Sequence, residues 1–249
     1  MDLELSGKRA IVTGGSRGIG KAIARALAQE GADVVIGARD PERLQAAAAE
    51  LAADTGRRIV PVEVDTGDDA SVRRLVATAV EELGGVDILV NNAATPGSVA
   101  PPGPVTELRD EDVLADLNVK VLGYLRTARA VAPLLIDQGW GRIVNISGLA
   151  ARNAGRITGS IRNVSVSALT KNLADELGPH GVNVTVVHPG VTRTERTGRV
   201  VPERGSTIGR IVEAHEVAWV VTFLASPRSV AITGDAIAAG GGVPGAIHY

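Results

Sequence analysis

Thr13-Gly14-Gly15-Ser16-Arg17-Gly18-Ile19-Gly20 stands between a short apolar run, Arg9-Ala10-Ile11-Val12, and a helix-like segment from Lys21 to Glu30. A glycine-rich turn that links a strand to a helix reads as a phosphate cradle. The glycines at 14, 18 and 20 allow a tight turn, let a pyrophosphate approach the backbone and let the helix pack closely on its strand. The first N–H groups of that helix then face the anion, aided by the partial positive charge of the helix start. Gly14, Ser16, Arg17, Gly18, Ile19 and Gly20 are therefore the first candidate ligand contacts.

Outward from this turn, strand-like runs alternate with helix-length amphipathic segments along the whole chain. Strands are expected near Arg9–Thr13, Asp33–Gly37, Arg58–Val64, Ile88–Asn91, Gly141–Ser147, Val182–His188 and Ala236–Ala238. Helices are expected over Gly18–Glu30, Pro41–Thr55, Asp68–Leu83, Asp110–Gln138, Gly159–Leu177 and Ala214–Ala225. The alternation predicts an α/β fold, a single Rossmann-like doubly wound parallel sheet flanked by helices on both faces. No repeat, linker or charge run marks a second domain, so residues 1–249 read as one unit. Pro96 to Pro104 reads as a loop and Thr192 to Ser206 as a substrate lid.

The 249 residues suffice for one large domain, and 45% hydrophobic content with a net charge of −2 describes a globular chain without the basic field that nucleic acid requires. There is no cysteine, which excludes disulfides and thiolate chemistry. Met1-Asp2-Leu3-Glu4 lacks the layout of a signal peptide and no run has the length of a membrane span, so a cytoplasmic location and no membrane partner are expected. No metal site is expected either.

Further motifs follow in order: Asp65 ends the third strand in VEVD, Asn91-Asn92-Ala93-Ala94 ends the fourth, and Asn118 lies in DLNVKVLG. His188-Pro189-Gly190, with Thr192 and Thr194, follows the sixth strand, and Thr233-Gly234 and Gly241-Gly242 close the series. Together with the first turn, these resemble the short-chain dehydrogenase/reductase family, of the 3-oxoacyl-carrier-protein reductase type, from about residue 5 to about residue 242. The resemblance implies that Asp65 binds adenine, that Asn91 and Ala93 wall the cofactor, that Asn118 is an active-site residue, and that Pro189, Gly190, Thr192 and Thr194 contact the nicotinamide end. Read as residues alone, Asp65 equally fits a strand-end turn, Asn91 and Asn92 a turn, and Asn118 a helix kink.

Charge indicates the dinucleotide. A cofactor without a 2′-phosphate is usually held by a carboxylate after the second strand. Here that stretch is Ile36-Gly37-Ala38-Arg39. Arg39, with Arg17, suits charge-assisted bonds to a 2′-phosphate, so NADP(H) is favoured over NAD(H).

The resemblance implies a Tyr-x-x-x-Lys pair on one helix face and a serine about a dozen residues earlier. Anchored on Leu169-Thr170-Lys171-Asn172-Leu173-Ala174-Asp175-Glu176-Leu177 and on Arg142-Ile143-Val144-Asn145-Ile146, these positions fall on Gly159, Asn163 and Gly148, with Ser147 one residue early. Neither tyrosine, Tyr124 or Tyr249, has a lysine four residues on. Asn118 and Ser147 remain as candidate catalytic residues, with His188 as a further imidazole. Family-type carbonyl reduction is expected to be lost. The preferred reading is a retained NADP(H)-binding scaffold, either a non-redox enzyme or a non-catalytic subunit paired with an active relative; the alternative is an NADP(H)-dependent oxidoreductase with a rearranged site. A small-molecule or carrier-bound substrate is expected, and a homotetramer or hetero-oligomer, with the Asp110–Gln138 and Gly159–Leu177 helices at one interface.

Overall fold

The structure is a computed structural model that describes residues 1–95, 103–195, 206–242 and 244. Seven parallel strands form the main sheet: β1 (Arg9–Thr13), β2 (Asp33–Ala38), β3 (Ile59–Glu63), β4 (Ile88–Asn91), β5 (Gly141–Ile146), β6 (Val182–Pro189) and β9 (Ala236–Ala239), in the order β3-β2-β1-β4-β5-β6-β9. Short strands β7 (Thr192–Arg193) and β8 (Val212–Glu213) make a separate parallel ribbon that sequence did not reveal. The helices are α1 (Gly18–Gln29), α2 (Pro41–Thr55), α3 (Asp69–Leu83), α4 (Asp110–Leu117), α5 (Gly123–Asp137), α6 (Ile157–Leu177) and α7 (Ala214–Leu224).

Strand side chains alternate between two cores, as a sheet covered on both faces requires. Ala10, Val12, Val34, Ile36, Ile88 and Val90 pack with α1, α2 and α7. Ile11, Val35, Leu89 and Ile143 pack on the other face with α3, α5 and α6. A one-residue slip in register would exchange the two sets, so the pairing of Val12 with Ile36 and Val90 is firmly specified.

Strand order reverses between β1 and β4, and ligands of open α/β sheets lie outside the carboxyl ends of strands at such a point. Helix caps mark the same place. Asp40 Oδ1 accepts from Arg43 N at 3.1 Å at the start of α2, and Asp68 Oδ2 from Ser71 N at 2.9 Å at the start of α3. By contrast, α1 has no side-chain cap from its own N-cap residue, Arg17.

The helix expected over Asp110–Gln138 is interrupted. Asn118–Leu122 forms one π turn between α4 and α5, with Gly123 N bonded back to Asn118 O. A π turn inserts a residue into the helical repeat and rotates the side chains it carries.

Candidate active site

A cleft of about 1060 Å³ opens along the carboxyl ends of the central strands. At one end it is walled by the 14–20 turn, Arg39 and Asp65, and at the other by Ser147, Gly148, Asn163, Pro189 and Gly190. That volume exceeds most single-ligand pockets, which run to about 1,000 Å³, and leaves room for a dinucleotide with a second molecule.

The turn is built for close approach. Gly14 has φ +68°, which disfavours any side chain. A Cβ on Gly20 would lie 2.2 Å from Gly14 O and 2.4 Å from Asn92 Nδ2. Asn92 fixes the turn by donating from Nδ2 to Thr13 O and Gly14 O, both at 3.1 Å, while Thr13 Oγ1 accepts from Asn92 N and Ala93 N at 3.0 and 3.1 Å. At the start of α1, Gly18 N donates to Glu195 Oε2 at 3.0 Å, so a carboxylate from the far side of the cleft meets the N–H groups expected to take an anion.

Gly14, Ser16, Arg17, Gly18, Ile19, Gly20, Arg39, Asp65, Ala93, Pro189, Gly190 and Thr194 all reach the wall of this cleft. Arg17 and Arg39 are exposed, and neither has an ion-pair partner among the described residues; the neighbouring Asp40 is engaged with Arg43 at 3.4 Å. Asp65 also holds its own turn, with Oδ1 accepting from Gly67 N at 2.8 Å.

Three expected contacts lie elsewhere. Asn91 is fully buried behind the wall, where Nδ2 donates to Asn145 Oδ1 at 2.9 Å and Oδ1 accepts from Thr127 Oγ1 at 2.6 Å; Asn92 and Ala94 line the cleft in its place. Thr192 is buried in the β7–β8 ribbon, with its hydroxyl on Gly190 O at 3.0 Å. Asn118, a candidate catalytic residue, is clamped by Arg126, whose Nη2 donates to Asn118 Oδ1 at 2.8 Å and whose Nη1 donates to Asn118 O at 3.1 Å. The π turn carries it off the wall. Of the expected lid and loop, residues 196–205 and 96–102 lie outside the described residues, as does Tyr249; Arg193 is held by Glu213 at 2.9 Å.

The other candidate, Ser147, does line the cleft, but its hydroxyl donates to Asn163 O at 3.0 Å. Gly148 and Asn163 are beside it, whereas Gly159 is off the wall, where a Cβ would lie 3.7 Å from Arg156 Cβ. Tyr124 is 1% exposed and donates from its hydroxyl to Ile146 O at 2.8 Å. Burial pushes that phenol well above its ordinary range, which confines it to packing. His188 is buried behind the wall; burial first, then the charges of Arg152 and Lys120, lower it to about 4.

The residue that sequence reading set aside is Lys120. It sits on the cleft wall and is 4% exposed. Its Nζ donates to Ser147 O at 3.0 Å and to Asn163 Oδ1 at 2.9 Å. Burial, with the nearby charge of Arg162, pulls the amine down to about 7, opposed by Asp116. Arg162 and Asp116 themselves pair at 2.6 Å next to it. A titratable amine at the inner end of a cleft is an arrangement suited to proton transfer near neutral pH. The signal was present in Asn118-Val119-Lys120-Val121-Leu122, a lysine inside an apolar run. Regular helical spacing hid its direction.

Among the described residues no group of three or more metal-ligating side chains occurs, and no helix is long and apolar enough to cross a membrane.

Residues 8–205 match the sequence profile of the short chain dehydrogenase family. The chain is 36% identical to the short-chain reductase protein NovJ of Streptomyces niveus, covering 94% of this chain and 93% of that protein. It is 34% identical to the 3-oxoacyl-[acyl-carrier-protein] reductase FabG of Aquifex aeolicus, covering 98% and 100%. Among solved structures, the L-sorbose reductase of Gluconobacter frateurii complexed with NADPH and L-sorbose superposes with a TM-score of 0.91 at 28% identity over 99% of this chain and all of the other. A short chain dehydrogenase from Burkholderia cenocepacia in complex with NADP gives a TM-score of 0.83 at 36% identity over 96% and 98%. The strand order, the glycine turn at the switch point and these matches agree, and the chain belongs to the short-chain dehydrogenase family.

Proposed function

We propose that this chain is an NADP(H)-dependent oxidoreductase whose site works without the Tyr-x-x-x-Lys pair. The observation that carries this reading is the continuity of the cleft, from the exposed Arg17 and Arg39 to the buried amine of Lys120 beside Ser147 and Asn163.

The cofactor fit rests on the chain's own geometry. The pyrophosphate is received by the start of α1, on a turn packed so closely on itself that a Cβ on Gly20 would meet Gly14 O and Asn92 Nδ2. Arg17 and Arg39 are available to a 2′-phosphate, which favours NADP(H) over NAD(H). Asp65, Pro189, Gly190 and Thr194 all line the cleft, and on this reading Asp65 takes the adenine and the other three take the nicotinamide end. When bound, the nicotinamide supplies hydride to a carbonyl carbon or receives it from an alcohol. NADPH in the sorbose reductase and NADP in the Burkholderia protein support this choice.

Gly159 and Gly148 carry no side chain and Asn163 is an amide, so none of the three positions assigned to tyrosine, serine and lysine supplies an acid. Hydride transfer by the tyrosine mechanism is absent on this reading. A buried lysine in a cleft wall is costly to fold around and is the kind of feature that working sites retain. This favours a rearranged oxidoreductase over a silent one.

The test is NADPH oxidation with ethyl acetoacetate, L-sorbose and 9,10-phenanthrenequinone as acceptors. Saturable oxidation with at least one is expected. NADPH binding without oxidation by any of them moves the protein to the non-redox or subunit reading.

Self-association is supported by a separate observation. Leu114 on α4 and Ile161 and Val164 on α6 are 64%, 42% and 51% exposed. A homotetramer using these helices is proposed, and light scattering on the purified protein measures it.

A further inference from the structure

Lys120 reaches the inner cleft from an unusual direction. It extends from the π turn between α4 and α5 and meets α6 at Asn163. Its ammonium has three protons. One goes to Ser147 O and one to Asn163 Oδ1, and among the described residues no acceptor takes the third. Ser147, Gly148 and Asn163 line the same cleft wall as Lys120, and a Cβ on Gly148 would lie 3.2 Å from Asn163 Nδ2, on the amide that holds the amine. The charged or titratable groups near Nζ are Arg162 on α6, Asp116 on α4, and His188 on β6. Asp116 is neutralised by Arg162, and His188 is held neutral by burial. Of these groups, Lys120 is the one that burial brings down to about 7.

We propose that Lys120 is the catalytic acid of this site, its Nζ delivering a proton to the oxygen of a bound ketone or aldehyde. The proposal rests on the oxidoreductase reading. The step balances. The carbonyl carbon gains a hydride with its electron pair from the dihydronicotinamide, which is oxidised. The former C=O π pair takes the proton as the Nζ–H bond breaks, and the carbonyl is reduced to an alcohol. The neutral amine is reprotonated by solvent, and until then its two remaining N–H groups stay on Ser147 O and Asn163 Oδ1.

Only four lysines occur in the chain, Lys8, Lys21, Lys120 and Lys171, so a lysine-selective 13C label gives an assignable NMR titration. The experiment uses the full-length wild type, Lys120→Arg and Lys120→Met. Lysine titration is followed with NADP+ present, NADPH binding by calorimetry, and NADPH oxidation against whichever of the three acceptors the wild type reduces fastest. Expected are one lysine signal, absent in Lys120→Met, titrating near neutral pH while the others titrate above 9.5, and a fall in kcat on the alkaline side with the same midpoint. Lys120→Arg, which stays charged and cannot release a proton, should keep NADPH affinity within about threefold and lose about 100-fold or more in kcat, the scale of general acid catalysis. A Lys120 midpoint above 9.5, or Lys120→Arg with the wild-type rate and pH profile, overturns the proposal while leaving the oxidoreductase reading standing. A wild type that binds NADPH yet reduces no acceptor overturns both.

Discussion

Lys120 Nζ donates to Asn163 Oδ1 across 2.9 Å, so an amine from the π turn meets the helix position at which the family resemblance expects its own lysine. The burial of Lys120 has a thermodynamic consequence. With the folded-state value lowered to about 7 from 10.5, the unfolded chain binds more protons between those values, so stability rises with pH across that window. The cost of burying the charge is fully present below pH 7 and is relieved as pH rises. Relative to Lys120→Met, wild-type unfolding free energy should therefore gain on the order of 2–3 kcal/mol between pH 6 and pH 9. Urea unfolding at the two pH values measures this, and parallel pH dependence of the two proteins would contradict it.

Arg39 is exposed, lines the cleft and is without an ion-pair partner among the described residues. Replacing it with alanine should cost NADPH roughly 1.5–3 kcal/mol of binding, about 10- to 100-fold, the worth of a hydrogen bond to a charged group. NADH affinity should change by less than about threefold. Equal losses for both nucleotides would remove the 2′-phosphate assignment.

Glu195 Oε2 lies 3.0 Å from Gly18 N and competes there with any pyrophosphate. A glutamine keeps an acceptor oxygen but gives up the charge's attraction to the helix start, about 0.3–1 kcal/mol, and its repulsion of a phosphate. Glu195→Gln should tighten NADPH binding by about two- to fivefold. Weaker binding in this variant would show that Glu195 supports the nucleotide rather than opposing it.

A Cβ on Gly159 would meet only Arg156 Cβ, at an ordinary 3.7 Å, so the first atom of a Gly159→Tyr side chain is accommodated. Its companion change, Asn163→Lys, sets two amines side by side, since Lys120 already contacts Asn163. The double variant should melt below the wild type, and adding Lys120→Met should recover several degrees. Ketoreductase activity by the tyrosine route is expected in the triple variant only.

Most of the fold was legible in sequence because its signals are local. Ile88–Asn91 and Pro41–Thr55 have the expected bounds, one fixed by a short apolar run, the other by Asp40, Pro41 and Gly56 at its ends. The turn at 14–20 was legible for the same reason. Asn91 and Asn118 were misjudged as to where they face, because motif spacing identifies a position and not the direction of its side chain. Asn91 turns into the core to meet Asn145, a partner 54 residues away. Asn118 is turned by the π insertion and by Arg126. Lys120 escaped notice through the same insertion, since a regular helix gives no reason to aim it at Ser147.

On the function proposed above, this cleft holds NADP(H). Calorimetric titration of the purified protein with NADPH, beside an identical titration with NADH, tests it most directly. Saturable one-to-one binding of NADPH is predicted, with NADH at least about tenfold weaker, the minimum expected of one charge-assisted contact to the 2′-phosphate. An absence of saturable heat with NADPH, or tighter binding of NADH, would contradict it.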